Sequence, residues 1–325
     1  STGLLAKPIE EWDGDIVTNP PYKCYSSDTE VLTQDGWKYF YDVKSTDKIL
    51  SVNIDTLCLE WSEIIAQHEY DVDEELVHFK GLMDLLVTKN HRMFSFKSNQ
   101  MELYKQLVPQ KKDDDVYTAE MVNSNSMIPK WGYNWVGEDI EYITIPATTK
   151  RVSRWSERTM PELNIPIDDW LRFFGFWLAD GCCRHTLNSQ GNQRYSISIK
   201  QHDRNAEYVK SLLDKLPFDY HIYQNKGHNS CNYVIHSKQL WEYLIKFGKS
   251  RDKYIPRELK DLPPNRLRVL LEGYISGDST GTYGQTVGYR LSSASKQLID
   301  DLVEISLKLG YFVHSIEEFK TKTGI

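Results

Sequence analysis

Two acidic residues, Asp180 and Asp278, close two stretches of the same design. In FFGFWLADG (173–181) Gly175 and Ala179 stand four apart and Asp180 follows; in LEGYISGDS (271–279) Gly273 and Gly277 stand four apart and Asp278 follows. Small residues at that spacing share one helix face and let two helix backbones approach closely. If the two stretches pack on each other, both carboxylates arrive at one end of the pair. There each meets the negative end of its helix dipole and the charge of the other. A divalent cation relieves both penalties, and a carboxylate pair with Mg²⁺ is a standard means of cleaving phosphodiesters. Taken singly, either Asp is as readily a C-terminal turn residue; the duplication in matching surroundings favours a site.

A second group lies towards the other end. Cys24 opens CYSSDTEVLTQDG, and LLVTKNHRMF carries Thr88 and His91 at T-x-x-H spacing. A cysteine directly after an amide can attack the carbonyl before it and convert Lys23–Cys24 into a thioester, while a histidine polarises and protonates that amide. Thr88 would orient the amide or the imidazole. A third set, Cys182-Cys183-Arg184-His185 with His228-Asn229-Ser230-Cys231, would supply zinc ligands if its members met in space. Its spacing matches no strong pattern, and adjacent cysteines on a strand point to opposite sides.

The elements that must position these groups change character along the chain. Residues 24 to about 100 alternate short β-branched runs with Gly, Asp and Asn turns, which predicts a compact all-β module. Residues 101–165 are less regular, with KKDDD and NSNS as solvated turns. From Pro166 onward the pattern becomes helices separated by strands. IDDWLRFFGFWLADG is a helix with Asp168 and Asp169 at its N-cap, RYSISIK a strand, and RNAEYVKSLLDKLP an amphipathic helix. YHIYQNKG and NYVIHS pair as strands before the helix KQLWEYLIKFG. The order then restarts with NRLRVLLEGYISGDS as helix, YRLSSAS as strand and KQLIDDLVEISLKLG as helix. The fold class expected is α+β, with an internal repeat in the second half.

Composition sets wider bounds. The 325 residues, 40% hydrophobic and 12% aromatic, suffice for two domains. The longest apolar run is far too short for a bilayer, and STGLLAKPIE has no signal-peptide pattern, so a soluble, cytoplasmic protein without a membrane partner is expected. Five cysteines, none in CxxC, fit free thiols in a reducing compartment. The net charge of −7 is uneven: residues 166–325 carry 22 Lys and Arg against 18 Asp and Glu, a balance of +4, leaving −11 for residues 1–165. The second half is therefore the one able to meet a polyanion.

The paired motifs resemble those of the LAGLIDADG homing endonucleases, over about residues 166–320, with KSRDKYIP and SSASKQL as supporting features. That resemblance implies two motif helices at a pseudo-two-fold interface in an αββαββα arrangement. It makes Asp180 and Asp278 metal ligands for Mg²⁺ and puts Lys200, at the end of SISIK, where a catalytic basic residue is often found. It also implies a curved sheet lying along double-stranded DNA, with Arg194, Lys226, His228 and Asn232 as contacts.

The block beginning at Cys24 and the TKNH segment resemble the first two blocks of inteins, the Hint-type splicing modules. NPPY (Asn19, Pro20, Pro21, Tyr22) resembles the motif by which N6-adenine DNA methyltransferases hold a flipped adenine. Together these imply a host fragment at 1–23, a splicing module with connector at 24–165, and an endonuclease at 166–325. The DNA partner would be the intein-less host gene site. A C-terminal intein segment and C-extein would be further partners, because residues 1–325 contain no C-terminal splicing block and are not expected to splice alone. Two other readings are a DNA-binding relic without cleavage and a methyltransferase with an insertion.

Overall fold

A computed structural model describes residues 24–97, 116–122, 126–127, 134–278, 290–311 and 313, apart from 54–55, 57, 72, 81–84, 154–155, 225–226 and 228. The chain divides into two compact units, residues 1–136 with 306–325 and residues 137–305. No helix among the described residues is long and apolar enough to cross a membrane.

The first unit is built of short antiparallel strands. β1 (Glu30–Thr33), β2 (Gly36–Tyr39), β3 (Lys48–Val52) and β4 (Leu59–Glu63) form a sheet in the order β2-β1-β3-β4. Its first hairpin turns through Gly36 at φ 112°, a value that favours glycine. The buried Thr33 hydroxyl holds the turn, donating to Gly36 O at 2.7 Å and accepting from Asp35 N at 3.2 Å. Three ladders follow: β5 (Leu76–Phe79) with β6 (Leu85–Thr88), β7 (Arg92–Phe94) with β9 (Val116–Thr118), and β8 (Phe96–Lys97) with β10 (Ser126–Met127). Val87, Met93 and Ala119 form a small core under Val77, Phe79 and Leu85.

The second unit opens with β11 (Tyr142–Ile145), which pairs with β14 (Leu163–Pro166) around the hairpin of β12 (Thr148–Ser153) and β13 (Ser156–Met160). Residues 137–165, grouped from the sequence with the N-terminal module, thus fall in the second unit. Strand pairing is the cause, reinforced where Ile167 N donates to Glu141 O at 2.9 Å. Then come α1 (Ile167–Asp180), β15 (Gly181–Leu187), β16 (Gln193–His202), α2 (Ala206–Leu213), β17 (Tyr220–Gln224), β18 (Ser230–Ile235) and α3 (Lys238–Leu244). Residues 167–244 therefore run α-β-β-α-β-β-α, with an antiparallel sheet in the order β15-β16-β18-β17. α4 (Arg257–Lys260), α5 (Pro264–Asp278) and α6 (Lys296–Lys308) complete the described elements.

Two local expectations are corrected. Pro166, not Asp168 or Asp169, is the N-cap of α1. The two acids sit in the first turn, where the positive end of the dipole favours them, and they pair with Arg266 (2.7 Å) and Lys215 (3.3 Å). The described part of YRLSSAS, residues 290–295, is no named strand. Its serines turn the chain into α6 instead: Ser293 Oγ accepts from Ser295 N at 3.1 Å, and Ser295 Oγ accepts from Leu298 N at 3.2 Å.

Helix α1 is apolar on nearly every side because it is enclosed. Trp170, Phe173, Phe174, Phe176 and Trp177 are fully buried, each contributing about 1.5–3 kcal/mol of burial. Its contact with α5 is close because glycines line it. A Cβ on Gly273 would stand 2.5 Å from Arg172 O, and one on Gly175 would stand 2.8 Å from Tyr274 N. A buried ionic cluster fastens α4 to α6. Lys260 Nζ lies 2.6 Å from Asp301 Oδ1 and 3.0 Å from Glu304 Oε2, Arg257 also pairs with Glu304, and Ile255 N donates to Asp301 Oδ2 at 2.8 Å.

Candidate functional site

The packing of α1 on α5 brings the ends of both helices together. A Cβ on Gly277 would stand 2.6 Å from Ala179 Cβ and 3.2 Å from Asp180 Oδ2, so the last turn of α5 lies directly against the Asp180 carboxylate. Asp278 follows Gly277 and is the last residue of α5; its side chain lies outside what the structure describes. Asp180 is the last residue of α1. The two acids predicted to pair therefore occupy equivalent ends of two touching helices.

Three groups from distant sequence organise this end. Gln201, nearly buried on β16, donates its side-chain amide to Asp180 Oδ2, and Asn205 Nδ2 in turn donates to Gln201 Oε1 at 2.8 Å. Lys253, 5% exposed, donates to the carbonyls of Trp177 (2.8 Å), Leu178 (2.9 Å) and Gly181 (2.8 Å). It adds a charged donor to carbonyls at the C-terminal end of α1, where the Trp177 carbonyl also accepts from Gly181 N. Burial pulls the Lys253 ammonium down to about 8, against the opposing charges of Cys182, Cys183 and Asp180. Its Nζ also stands 4.5 Å over the ring of Trp177, against which Gly181 packs. A carboxylate at the end of each helix suits a hard divalent cation such as Mg²⁺, and Asp180 and Asp278 are the residues that could hold it.

Lys200, singled out from the sequence, points the other way. It is exposed and paired in register with Asn232, whereas its neighbour Gln201 is the residue that reaches Asp180. The period of two along a strand sends consecutive side chains to opposite faces. Gln201 escapes a reading of the sequence because a neutral amide carries no signal of its own there.

The face that Lys200 occupies is the outer face of the four-stranded sheet. The register puts Arg184 opposite Ser196, Arg194 opposite Thr186, and Lys200 opposite Asn232, with His221 opposite Val234. None of the residues of the four strands is Asp or Glu. Among the described residues Arg184, Arg194 and Lys200 form no ion pair, while Lys38, Arg257, Lys260 and Arg266 are all engaged by carboxylates. In a chain of net charge −7, this face of the sheet thus carries cations without carboxylates among its strands. Of the four expected contacts, Arg194 and Asn232 lie on this face; Lys226 and His228 lie outside the described residues.

The zinc grouping is not assembled among the described residues. Cys182 and Cys183 point to opposite faces of β15, and burial pushes the Cys183 thiol up to about 12. The Cys231 thiol donates to Gln224 Oε1 (2.9 Å) and Asp203 Oδ1 (3.3 Å), and His185 stacks on Tyr195. No three or more His, Cys, Asp or Glu residues among those described gather as a metal site.

In the first unit Thr88 brackets Cys24. Its Oγ1 accepts from Cys24 N at 3.1 Å and donates to Asn90 Oδ1 at 2.9 Å, while its own N–H donates to Cys24 O at 3.0 Å. The buried His91 follows on the same turn, with His91 N donating to Thr88 O at 3.0 Å, and its ring meets Tyr25 edge-on at 4.2 Å. Burial raises the Cys24 thiol, and the Glu74 carboxylate raises it further. Residues 1–23, including Lys23 and the NPPY segment, lie outside the described residues.

No protein-family model matches the chain. It is 27% identical to an ATP-dependent Clp protease proteolytic subunit of Chlamydomonas moewusii, over 89% of this chain and 28% of that protein. It is also 27% identical to a DNA-directed RNA polymerase subunit beta C-terminal section of Stigeoclonium helveticum, over 90% of this chain and 27% of that protein. The chain thus spans just over a quarter of the length of these curated relatives. Among solved structures, I-DmoI in complex with DNA and Mn aligns at 18% identity, over 44% of this chain and 77% of that one, with a TM-score of 0.33. The LAGLIDADG meganuclease I-AabMI bound to uncleaved DNA aligns at 17% over 38% and 64%, with a TM-score of 0.24.

Proposed function

We propose that residues 137–305 form a divalent-metal-dependent DNA endonuclease of the LAGLIDADG kind. The observation that carries this reading is the glycine-lined contact of α1 with α5, which sets Gly277, the residue before Asp278, against the Asp180 carboxylate. The acid-free, cation-bearing sheet face supplies the surface for the duplex, with Arg194, Lys200 and Asn232 reaching it. A bound Mg²⁺ would polarise the scissile phosphate and stabilise the leaving oxygen. The chain's own residues hold the geometry: Gln201 orients Asp180 through its amide, and Lys253 fixes the end of α1. The test is cleavage of a plasmid carrying the rejoined host gene, in Mg²⁺. Wild-type chain should yield double-strand breaks and Asp180→Ala or Asp278→Ala should not; undiminished cutting by either variant rejects the assignment.

A second activity is favoured by the bracket of Thr88 around Cys24. We propose that residues 24–136 are the N-terminal part of a protein-splicing module, in which Cys24 Sγ attacks the carbonyl of Lys23. The thiol gives up its proton to solvent as the C–S bond forms, the C–N bond breaks, and the Cys24 nitrogen leaves as an amine by taking up a proton from His91, so that the acyl group moves to sulfur. The hydrogen bond from Cys24 N to Thr88 Oγ1 holds that nitrogen in place. The relatives agree with a mobile insertion, because one 300-residue-scale segment is shared by proteins named for unrelated work, a protease subunit and an RNA polymerase subunit. Treatment with dithiothreitol should release residues 1–23, and Cys24→Ala should prevent it; release from Cys24→Ala would refute the thioester.

A further inference from the structure

The hairpin of β12 and β13 carries an arrangement that folding alone does not favour. Lys150 stands directly opposite Arg158 in its register, and both side chains are exposed. Like charges facing across two strands are destabilising, and a carboxylate at either place would remove the cost. Neither cation forms an ion pair among the described residues.

The hairpin is nevertheless held firmly at its base. Lys238 Nζ donates to Thr149 O at 2.6 Å, Thr148 Oγ1 donates to Glu242, and the buried Gln239 donates to both Pro146 O (2.9 Å) and Pro161 O (2.7 Å). Helix α3 thereby fixes where the two cations stand. Lys150 is also close enough to the outer face of the sheet to act on His236 together with His221 and Arg194. Desolvation first, and then these three positive groups, hold the His236 imidazole below its ordinary pKa. The Lys150 charge is thus felt at His236, which directly follows β18 of the sheet.

We infer that the hairpin of residues 148–160 is a second DNA-backbone contact, in which Lys150 and Arg158 each take a phosphate beyond the span reached by the four-stranded sheet. This rests on the endonuclease reading of the sheet face. Phosphate contacts fix register and affinity without reading sequence, which suits two exposed cations side by side on paired strands. A phosphate at each cation also relieves their mutual repulsion, so the hairpin is most stable when DNA is bound.

The experiment is anisotropy of the full chain with a labelled mixed-sequence DNA duplex across a salt series. The double variant Lys150→Gln with Arg158→Gln should bind more weakly, and its slope of log K against log salt should be shallower by about 2, close to 0.9 for each phosphate no longer neutralised. Lys150→Glu supplies a second readout. It places a carboxylate opposite Arg158, so the melting temperature should hold or rise while duplex affinity falls; a merely structural role would move both in the same direction. If wild type binds and the double variant binds with the same slope, the hairpin does not touch the duplex and the inference is wrong. If wild type shows no salt-dependent duplex binding, the endonuclease reading fails and takes this inference with it.

Discussion

Gln201 donates its side-chain amide to the carboxylate of Asp180, across a separation of 21 residues. That bond joins the sheet to the end of α1 and holds Oδ2, the carboxylate oxygen that lies against Gly277 of α5. Gln201→Ala should lower DNA cleavage by about 10- to 100-fold, the usual effect of removing a partner that orients a metal-binding group, with duplex affinity little changed. Gln201→Glu replaces the amide donor with a second carboxylate beside Asp180, so cleavage should fall at least as far as in Gln201→Ala. A rate equal to wild type in both variants would remove Gln201 from the site.

The contact of α1 with α5 leaves no room for side chains at its glycines. A Cβ at position 273 would meet the backbone at Arg172 O, and one at 175 would meet the backbone of Leu270 and Tyr274. Gly273→Ala or Gly175→Ala should force the helices apart and destabilise the second unit by about 1–3 kcal/mol. Urea denaturation is the measurement. An unchanged midpoint would mean that the helices do not pack this closely.

Lys260 is almost wholly buried between Asp301 and Glu304. Lys260→Met leaves two buried acids with less compensation, at a cost of about 3–5 kcal/mol, the range for breaking a buried ion pair by removing one partner. Thermal unfolding should show this loss at neutral pH.

Cys24 titrates above the ordinary thiol range because burial and Glu74 both disfavour the thiolate. The thiolate fraction at neutral pH is accordingly below that of a free cysteine and grows about tenfold per pH unit until the pKa is passed. Dithiothreitol-induced release of residues 1–23 should therefore accelerate steadily from pH 7 into the alkaline range. Glu74→Gln removes the smaller of the two causes and should speed release at pH 8; a pH-independent rate would show that thiolate formation does not limit the step.

Much of this site was legible in local sequence. Glycine or alanine four residues apart followed by an acid is a statement about helix surface and helix end, and neither needs a distant partner to be read. The same holds for the QDG turn, where Gly36 takes the positive φ, and for the alternation of RYSISIK. Local pattern also separated an acidic first half from a mildly basic second half.

What the amino-acid sequence alone determined is therefore the kind of element at each place and the two acids that end matching helices, because short-range sterics and hydrophobic period encode those. Tertiary structure alone decided which neighbours serve them. Whether Lys200 or its neighbour Gln201 faces Asp180 depends on which side of β16 meets the helices, a choice that inverts with a slip of one residue. Lys253 reaches the end of α1 from more than 70 residues away, and Lys150 meets Arg158 only through a hairpin register within a stretch that reads as irregular. Such pairings arise from chain reversal and packing, and no local period records them.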